Sequence, residues 1–187
     1  MNSNFVYFKI MISNNTVVIN IIGGPGCRKS EIAAQLFSEL KKTGMSVELI
    51  HNPIKKYIYT NNLSMLNNQM ALFAEQQYML DSYAGKVDCI IQDCSLLFSV
   101  VYDNTNNQLF KALVMQEYHK FKNLDFYIVR GDTQYQNNGH LNTYEEAVEI
   151  DKRMKDAYSF ANAGYIEVNA DTAVDDILNH ISSLGKE

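Results

Sequence analysis

Several residues in this chain have the types and spacing that phosphate chemistry needs. Val17-Val18-Ile19-Asn20-Ile21-Ile22 runs into Gly23-Gly24-Pro25-Gly26-Cys27-Arg28-Lys29-Ser30. An apolar run, a glycine-rich turn and a helix opening on Lys and Ser make a strand, a phosphate-cradling loop and a helix. Consecutive backbone N–H groups in such a turn curl around phosphate oxygens, and the helix N-terminus adds partial positive charge. Gly23, Gly24, Gly26, Cys27, Arg28, Lys29 and Ser30 are therefore the candidate nucleotide-binding residues, with ATP and Mg²⁺ as the implied cofactors. Lys29 would reach the β- and γ-phosphates, and the Ser30 hydroxyl would complete the metal shell. The pattern G-x-x-x-x-G-K-[ST] is met at Gly23, Lys29 and Ser30 and departs at Arg28, which stands in place of the second glycine. Arg28 is compatible with phosphate binding if its backbone is helical and its side chain points outward; blunted catalysis is the equal alternative. A glycine-rich turn that no longer binds nucleotide is the alternative.

A second group follows the apolar run Val87-Asp88-Cys89-Ile90-Ile91, as Gln92-Asp93-Cys94-Ser95. A carboxylate at the tip of a central strand is placed to bind Mg²⁺ through water or to accept the proton of an attacking hydroxyl. Capping of the next helix is the plainer role for Asp93, and the roles can coexist. Arg130 leaves the end of Phe126-Tyr127-Ile128-Val129, where its donor fork suits a phosphate. Lys55 and Lys56 follow the strand Val47-Glu48-Leu49-Ile50, as a phosphate-facing pair or as a solvated pair at a helix start. Gln69 and Gln76, seven apart on one helix side, either hold an acceptor or are exposed amides. Arg153 either reaches the phosphates or forms a surface ion pair. His51 reads as a packing or capping residue more than as a base.

The elements that must position these groups alternate between strand and helix. Helix periodicity covers Lys29 to Thr43, with Ile32, Ala33, Leu36, Phe37 and Leu40 inward, and Leu63 to Tyr83, with Leu66, Met70, Phe73, Gln77 and Leu80 inward. A third helix is marked by Leu109, Phe110, Leu113, Val114, Tyr118 and Phe121. Thr143 with Glu146 three residues on predicts a capping box for a helix to Phe160, packed through Ala147, Ile150, Met154, Ala157 and Tyr158. A last helix spans Thr172 to Leu184, after the short strand Ile166-Glu167-Val168. Strand, helix, strand at this spacing implies right-handed parallel crossovers and an α/β sheet. Phe5 to Ile12 reads as an extra N-terminal edge strand or an irregular start. The polar, aperiodic interval 131–143, including His140, reads as a lid that excludes water during phosphoryl transfer.

A length of 187 residues predicts a single domain. The net charge of -5 argues against a nucleic-acid surface as the main business, leaving a local basic patch open. Cys27, Cys89 and Cys94 show neither a CxxC pair nor zinc spacing, and read as reduced core or near-site thiols of a cytoplasmic protein. No secretory leader is visible, and no apolar run has the length of a membrane span.

The series from Ile22-Gly23-Gly24-Pro25-Gly26 to Lys29-Ser30, through Val47-Glu48-Leu49-Ile50 and Val87 to Ser95, to Arg130 with Tyr135 and Gly139, and then Glu145-Glu146-Ala147 with Ile150-Asp151, resembles the small P-loop kinase-like proteins of bacteriophages. These are often called ATPase or AAA-like and are related to nucleoside, nicotinamide riboside and nucleotide kinases. The resemblance covers nearly the whole chain. It implies a P-loop NTPase fold of the kinase type, with a parallel five-stranded sheet and ATP phosphates on the loop at 23–30. It also implies an acceptor near the ends of the second and third strands, and a lid around 131–143. The implied activity is phosphoryl transfer from ATP to a nucleoside- or nucleotide-like small molecule. A nucleotide-binding relative with little or no catalysis is the alternative. A homodimer is common among such kinases, and a phage-encoded chain would work in the host cytoplasm. The sequence departs from the resemblance at Arg28, at Asn52-Pro53-Ile54-Lys55, where a glutamate is usual, and at Gly139-His140, where Gly-Arg is usual. Asn52 thus stands at the acceptor in place of a carboxylate.

Overall fold

The computed structural model of the protein describes residues 16–130 and 143–184. The expected strand over Phe5 to Ile12 and the expected lid as far as Asn142, with Tyr135, Gly139 and His140, lie outside the described residues. In chain order the elements are β1 (Val17–Ile22), α1 (Lys29–Lys42), β2 (Val47–Ile50), α2 (Ile54–Tyr59), α3 (Leu63–Leu66), α4 (Gln69–Tyr83), β3 (Cys89–Gln92), α5 (Phe98–Tyr102), α6 (Gln108–Tyr118), β4 (Lys122–Val129), α7 (Tyr144–Phe160), β5 (Ile166–Asn169) and α8 (Ala173–Leu184).

The strands form one five-stranded sheet in the order β2-β3-β1-β4-β5, and every pair is parallel. All of Val17–Ile22 is buried, as a central parallel strand requires, because helices cover both faces. Val17, Ile19 and Ile21 pack with Ile32, Ala33, Leu36 and Leu40 of α1 and with Ile177 and Ile181 of α8. Val18 and Ile22 face the other way, against Phe73 and Leu80 of α4, Val114 of α6 and Met154 of α7. Each such large apolar side chain taken from water contributes roughly 1.5–3 kcal/mol. The chain leaves β1 towards one face, through α1, and leaves the adjacent β3 towards the other, through α5 and α6. A crevice opens where neighbouring connections part, at the carboxyl ends of the strands.

Local chemistry sets the ends of these elements. Thr143 accepts from the Glu146 N–H while Glu146 accepts from the Thr143 N–H, so α7 starts on the expected capping box. Its inward residues Ala147, Ile150, Met154, Ala157 and Tyr158 are the expected ones. The helix expected over Leu63 to Tyr83 is broken at Asn67-Asn68, where the Asn68 side chain accepts the Ala71 N–H at 3.1 Å and starts α4 afresh. The break resets the helical phase. Gln69, Leu72, Phe73, Gln76 and Leu80 turn inward, and Met70 is 56% exposed. β3 begins later than expected, at Cys89, because Asp88 takes the Ser46 N–H at the preceding turn. β4 begins earlier, at Lys122, which pairs with Val17 of β1. Among the described residues, no helix is long and apolar enough to cross a membrane.

Candidate active site

The loop between β1 and α1 lies at the crevice. Gly23 has φ +141, and a Cβ built there would meet the Ile128 carbonyl at 3.2 Å. Gly24 is required small for another reason, since a Cβ would stand 2.8 Å from the Ala147 carbonyl and 2.5 Å from Asp151 Oδ1. Helix α7 therefore rests directly on the loop. Arg28 precedes the first helical residue with φ 58 and ψ 19, in the left-handed region, so the helical backbone named as a condition for its tolerance is not met. Its side chain does point outward, donating to Glu31 and, at 2.8 Å, to Asp171. α1 thus opens directly after the loop with no side-chain cap from Arg28, and an uncapped helix N-terminus is a place where anions bind.

Lys29 is half-buried beneath the loop, where its ammonium donates to the Gly24 carbonyl at 2.6 Å. Desolvation lowers its pKa against the pull of neighbouring anionic groups. Phe98 lies beside it, with the ring centroid 5.9 Å from Nζ. Cys27 and Cys94 flank the same region as free, buried thiols, and burial raises both pKa values.

Asp93, directly after β3, is 3% exposed. Burial alone would raise its pKa, but hydrogen bonds from His51, the Ser30 hydroxyl and the Asn52 N–H outweigh it and hold the carboxyl below its ordinary range. The Asn52 N–H lies 2.6 Å from Oδ1, and His51 Nδ1 lies 3.5 Å from Oδ2. The Asn52 side chain instead accepts the Ile54 N–H at 3.0 Å and shapes the start of α2. At the second residue of α2, Lys55 donates from Nζ to Ser30 Oγ at 2.8 Å. The adjacent Lys56 turns away to Glu75 at 2.6 Å. Lys55, Ser30 and Asp93 thereby join the ends of β2, β1 and β3.

Ser30 and Asp93 offer a hydroxyl and an ionised carboxylate on one hydrogen-bonded chain, oxygen donors of the type Mg²⁺ takes when phosphates supply the rest of its shell. The donor types fit the metal, and an ammonium already stands on the same hydroxyl. No group of three or more His, Cys, Asp or Glu suited to a metal occurs among the described residues.

Arg130 donates to the Pro25 carbonyl at 2.7 Å and to Asp151 Oδ2 at 2.8 Å, while Asp151 Oδ1 accepts the Gly24 N–H at 2.5 Å. Asp151 is thus part of the loop's support, a role not assigned to it from the sequence. The available signal is its place on the inward stripe of α7, between Ala147 and Met154. Arg153 donates to the Val101 carbonyl at the end of α5, and forms no ion pair among the described residues. Gln76 is buried and donates to Gln92 Oε1 at 2.7 Å, and Gln69 is buried and donates to the Leu66 carbonyl at 2.8 Å, so neither is an exposed amide. Gln69 lines a cavity of about 610 Å³ with Ser64, Asn67, Asn68, Met70, Asp103, Thr105, Asn107 and Phe110. This cavity lies between the starts of α4 and α6, both reached from the carboxyl ends of the strands.

No protein-family model and no curated protein matches this chain. Among solved structures, it is similar to a deoxyadenosine kinase from M. mycoides with dCMP and a flexible dCDP bound, at 19% identity and a TM-score of 0.57, covering 89% of this chain and 99% of that one. It is also similar to deoxyadenosine kinase from M. mycoides with bound dATP, at 18% identity and a TM-score of 0.56, over 88% of this chain and 98% of the other. With its all-parallel five-stranded sheet between two helical layers, the chain has the α/β P-loop fold of the nucleoside kinases.

Proposed function

We propose that this protein transfers the γ-phosphoryl group of ATP to a hydroxyl or phosphate of a small nucleoside- or nucleotide-like acceptor. The observation that carries this reading is the convergence of Lys29, Ser30 and Asp93, from the ends of two adjacent parallel strands, at the N-terminus of α1. In the transfer, the bond from the γ-phosphorus to the β–γ bridging oxygen breaks and a bond to the acceptor oxygen forms. A hydroxyl acceptor also loses its proton. Lys29 turns from the Gly24 carbonyl to the phosphates and stabilises the charge on the transferring group, with the loop amides and Arg130 beside it. Asp93, held ionised by its three hydrogen bonds, takes the acceptor proton or anchors the metal. Mg²⁺, held by Ser30 and Asp93, would neutralise phosphate charge. The cavity of about 610 Å³ is the place we assign to a nucleobase of the acceptor: Met70 and Phe110 offer apolar surface and Asn67 an amide, while Lys29, Ser30 and Asp93 are not in its lining.

The neighbouring kinase structures hold dCMP, dCDP and dATP, which supports a nucleoside or nucleotide acceptor here. A second reading, nucleotide binding without turnover, is favoured by one observation: the second residue after β2 is Asn52 and not a carboxylate, and its side-chain oxygen is taken by the Ile54 N–H at the start of α2. ATP with Mg²⁺ is expected to raise the melting temperature by several degrees, and Lys29→Ala to abolish most of that rise. Labelled ATP offered with nucleosides, nucleotides and nicotinamide riboside then separates the two readings. A phosphorylated product establishes the kinase, and nucleotide binding without product from any acceptor establishes the second reading. Identical melting behaviour of wild type and Lys29→Ala would remove the site assignment.

A further inference from the structure

Lys55 stands where a phosphate site has use for a second positive charge. Its ammonium is 2.8 Å from Ser30 Oγ, and Ser30 in turn hydrogen bonds Asp93. The position is built into the chain. The Asn52 N–H on Asp93 and the Asn52 side chain on the Ile54 N–H fix the turn that starts α2, and Lys55 is the next residue along. Two adjacent lysines are sorted by this turn. Lys56 is neutralised by Glu75 and lies over the Tyr57 ring, whereas Lys55 forms no ion pair among the described residues. Ser30 is linked to the carboxylate of Asp93, and no group of three or more His, Cys, Asp or Glu suited to a metal occurs among the described residues. The described site therefore offers a divalent ion few anionic ligands, and an ammonium on the shared hydroxyl repels such an ion further.

Building on the proposed nucleotide site, we propose that Lys55 is a resident cation of that site. It supplies at the Ser30 hydroxyl the positive charge that a divalent ion would otherwise bring, so a nucleoside triphosphate binds with little dependence on divalent metal. Lys29 under the loop, the α1 amides and Lys55 together face the polyphosphate from three directions. Metal then matters for the transfer step more than for holding the nucleotide.

Calorimetric titration of the full chain with ATP, in Mg²⁺ and in EDTA, tests this. Wild-type affinity in EDTA is expected to stay within about tenfold of that in Mg²⁺. Lys55→Ala is expected to lose about a hundredfold in EDTA and much less in Mg²⁺, with Lys55→Arg keeping the wild-type ratio. Lys55→Met retains the apolar stem and serves if the alanine variant melts early without nucleotide. A wild type that binds only with Mg²⁺, or an equal Mg²⁺-to-EDTA ratio in wild type and Lys55 variants, overturns this proposal and leaves the nucleotide site standing. Absence of ATP binding by the wild type in both buffers overturns the nucleotide site as well.

Discussion

At the scale of single residues, Arg28 decides how the glycine pattern of the loop should be understood. Its φ of 58 lies in the left-handed region, which costs a non-glycine residue roughly 1–2 kcal/mol. The side chain offsets part of this through ion pairs to Glu31 and Asp171, exposed contacts worth about 0.2–1 kcal/mol each. The two effects nearly cancel. Arg28→Gly is therefore expected to change unfolding free energy by less than about 1 kcal/mol, read by urea denaturation, and to keep the ATP-induced rise in melting temperature. Loss of that rise in Arg28→Gly would show that the guanidinium itself contacts the nucleotide. The sequence shows the departure from the pattern but not its resolution, because a required glycine encodes a backbone angle and the compensating Asp171 lies 143 residues away. Asp151 carries only a faint sequence signal for the complementary reason. One acidic residue in a helix rich in Glu, Asp and Lys reads as solvated, and only the arrival of α7 over Gly24 gives it a partner.

At the scale of elements, β1 with its loop, α1 and α7 were legible because each combines periodicity with an explicit end signal. The segment after β2 was not. Leu63 to Tyr83 carries apolar residues at helical steps through Asn67-Asn68, and the phase change there moves Gln76 from a rim to the interior. Gln76, Gln92 and Asn20 form a chain of buried amides across α4, β3 and β1, with Gln92 donating to Asn20 Oδ1 at 2.7 Å and Asn20 to Asn123 Oδ1 at 3.0 Å. These side chains lie directly beneath Asp93 and the start of the loop, so they fix the register of the strands that carry the site. Gln76→Leu leaves Gln92 Oε1 buried without its donor, which costs about 1–3 kcal/mol. Denaturant unfolding should show that loss, and a variant as stable as wild type would mean that Gln92 finds another donor.

The polar row continues across the whole molecule to Asp125. In register, Gln92 of β3 pairs with Asn20 of β1, and Asn20 with Asp125 of β4. Asp125 is 5% exposed and accepts from Tyr118 of α6 at 2.7 Å and Tyr158 of α7 at 2.5 Å, so the sheet and both helices beside β4 meet on one carboxyl. Burial pushes its pKa up to about 6, against the opposing pull of these hydrogen bonds. The two phenols are themselves raised by burial and by Asp125, so they stay protonated throughout the range in which the carboxyl titrates. A carboxyl with a raised folded-state pKa holds its proton more tightly folded than unfolded. Between its ordinary value of 3.8 and about 6, the folded chain therefore binds more protons at this group, and the group's effect on stability becomes more unfavourable as pH rises. Above about 6 the penalty is complete, on the order of 3 kcal/mol. Asp125→Asn keeps one acceptor for the tyrosines and removes the charge. Relative to wild type, its stability should match at about pH 4 and exceed it by that amount near pH 7.5, in urea titrations across the range. A difference between the two proteins that stays constant with pH would mean that Asp125 does not titrate in this window.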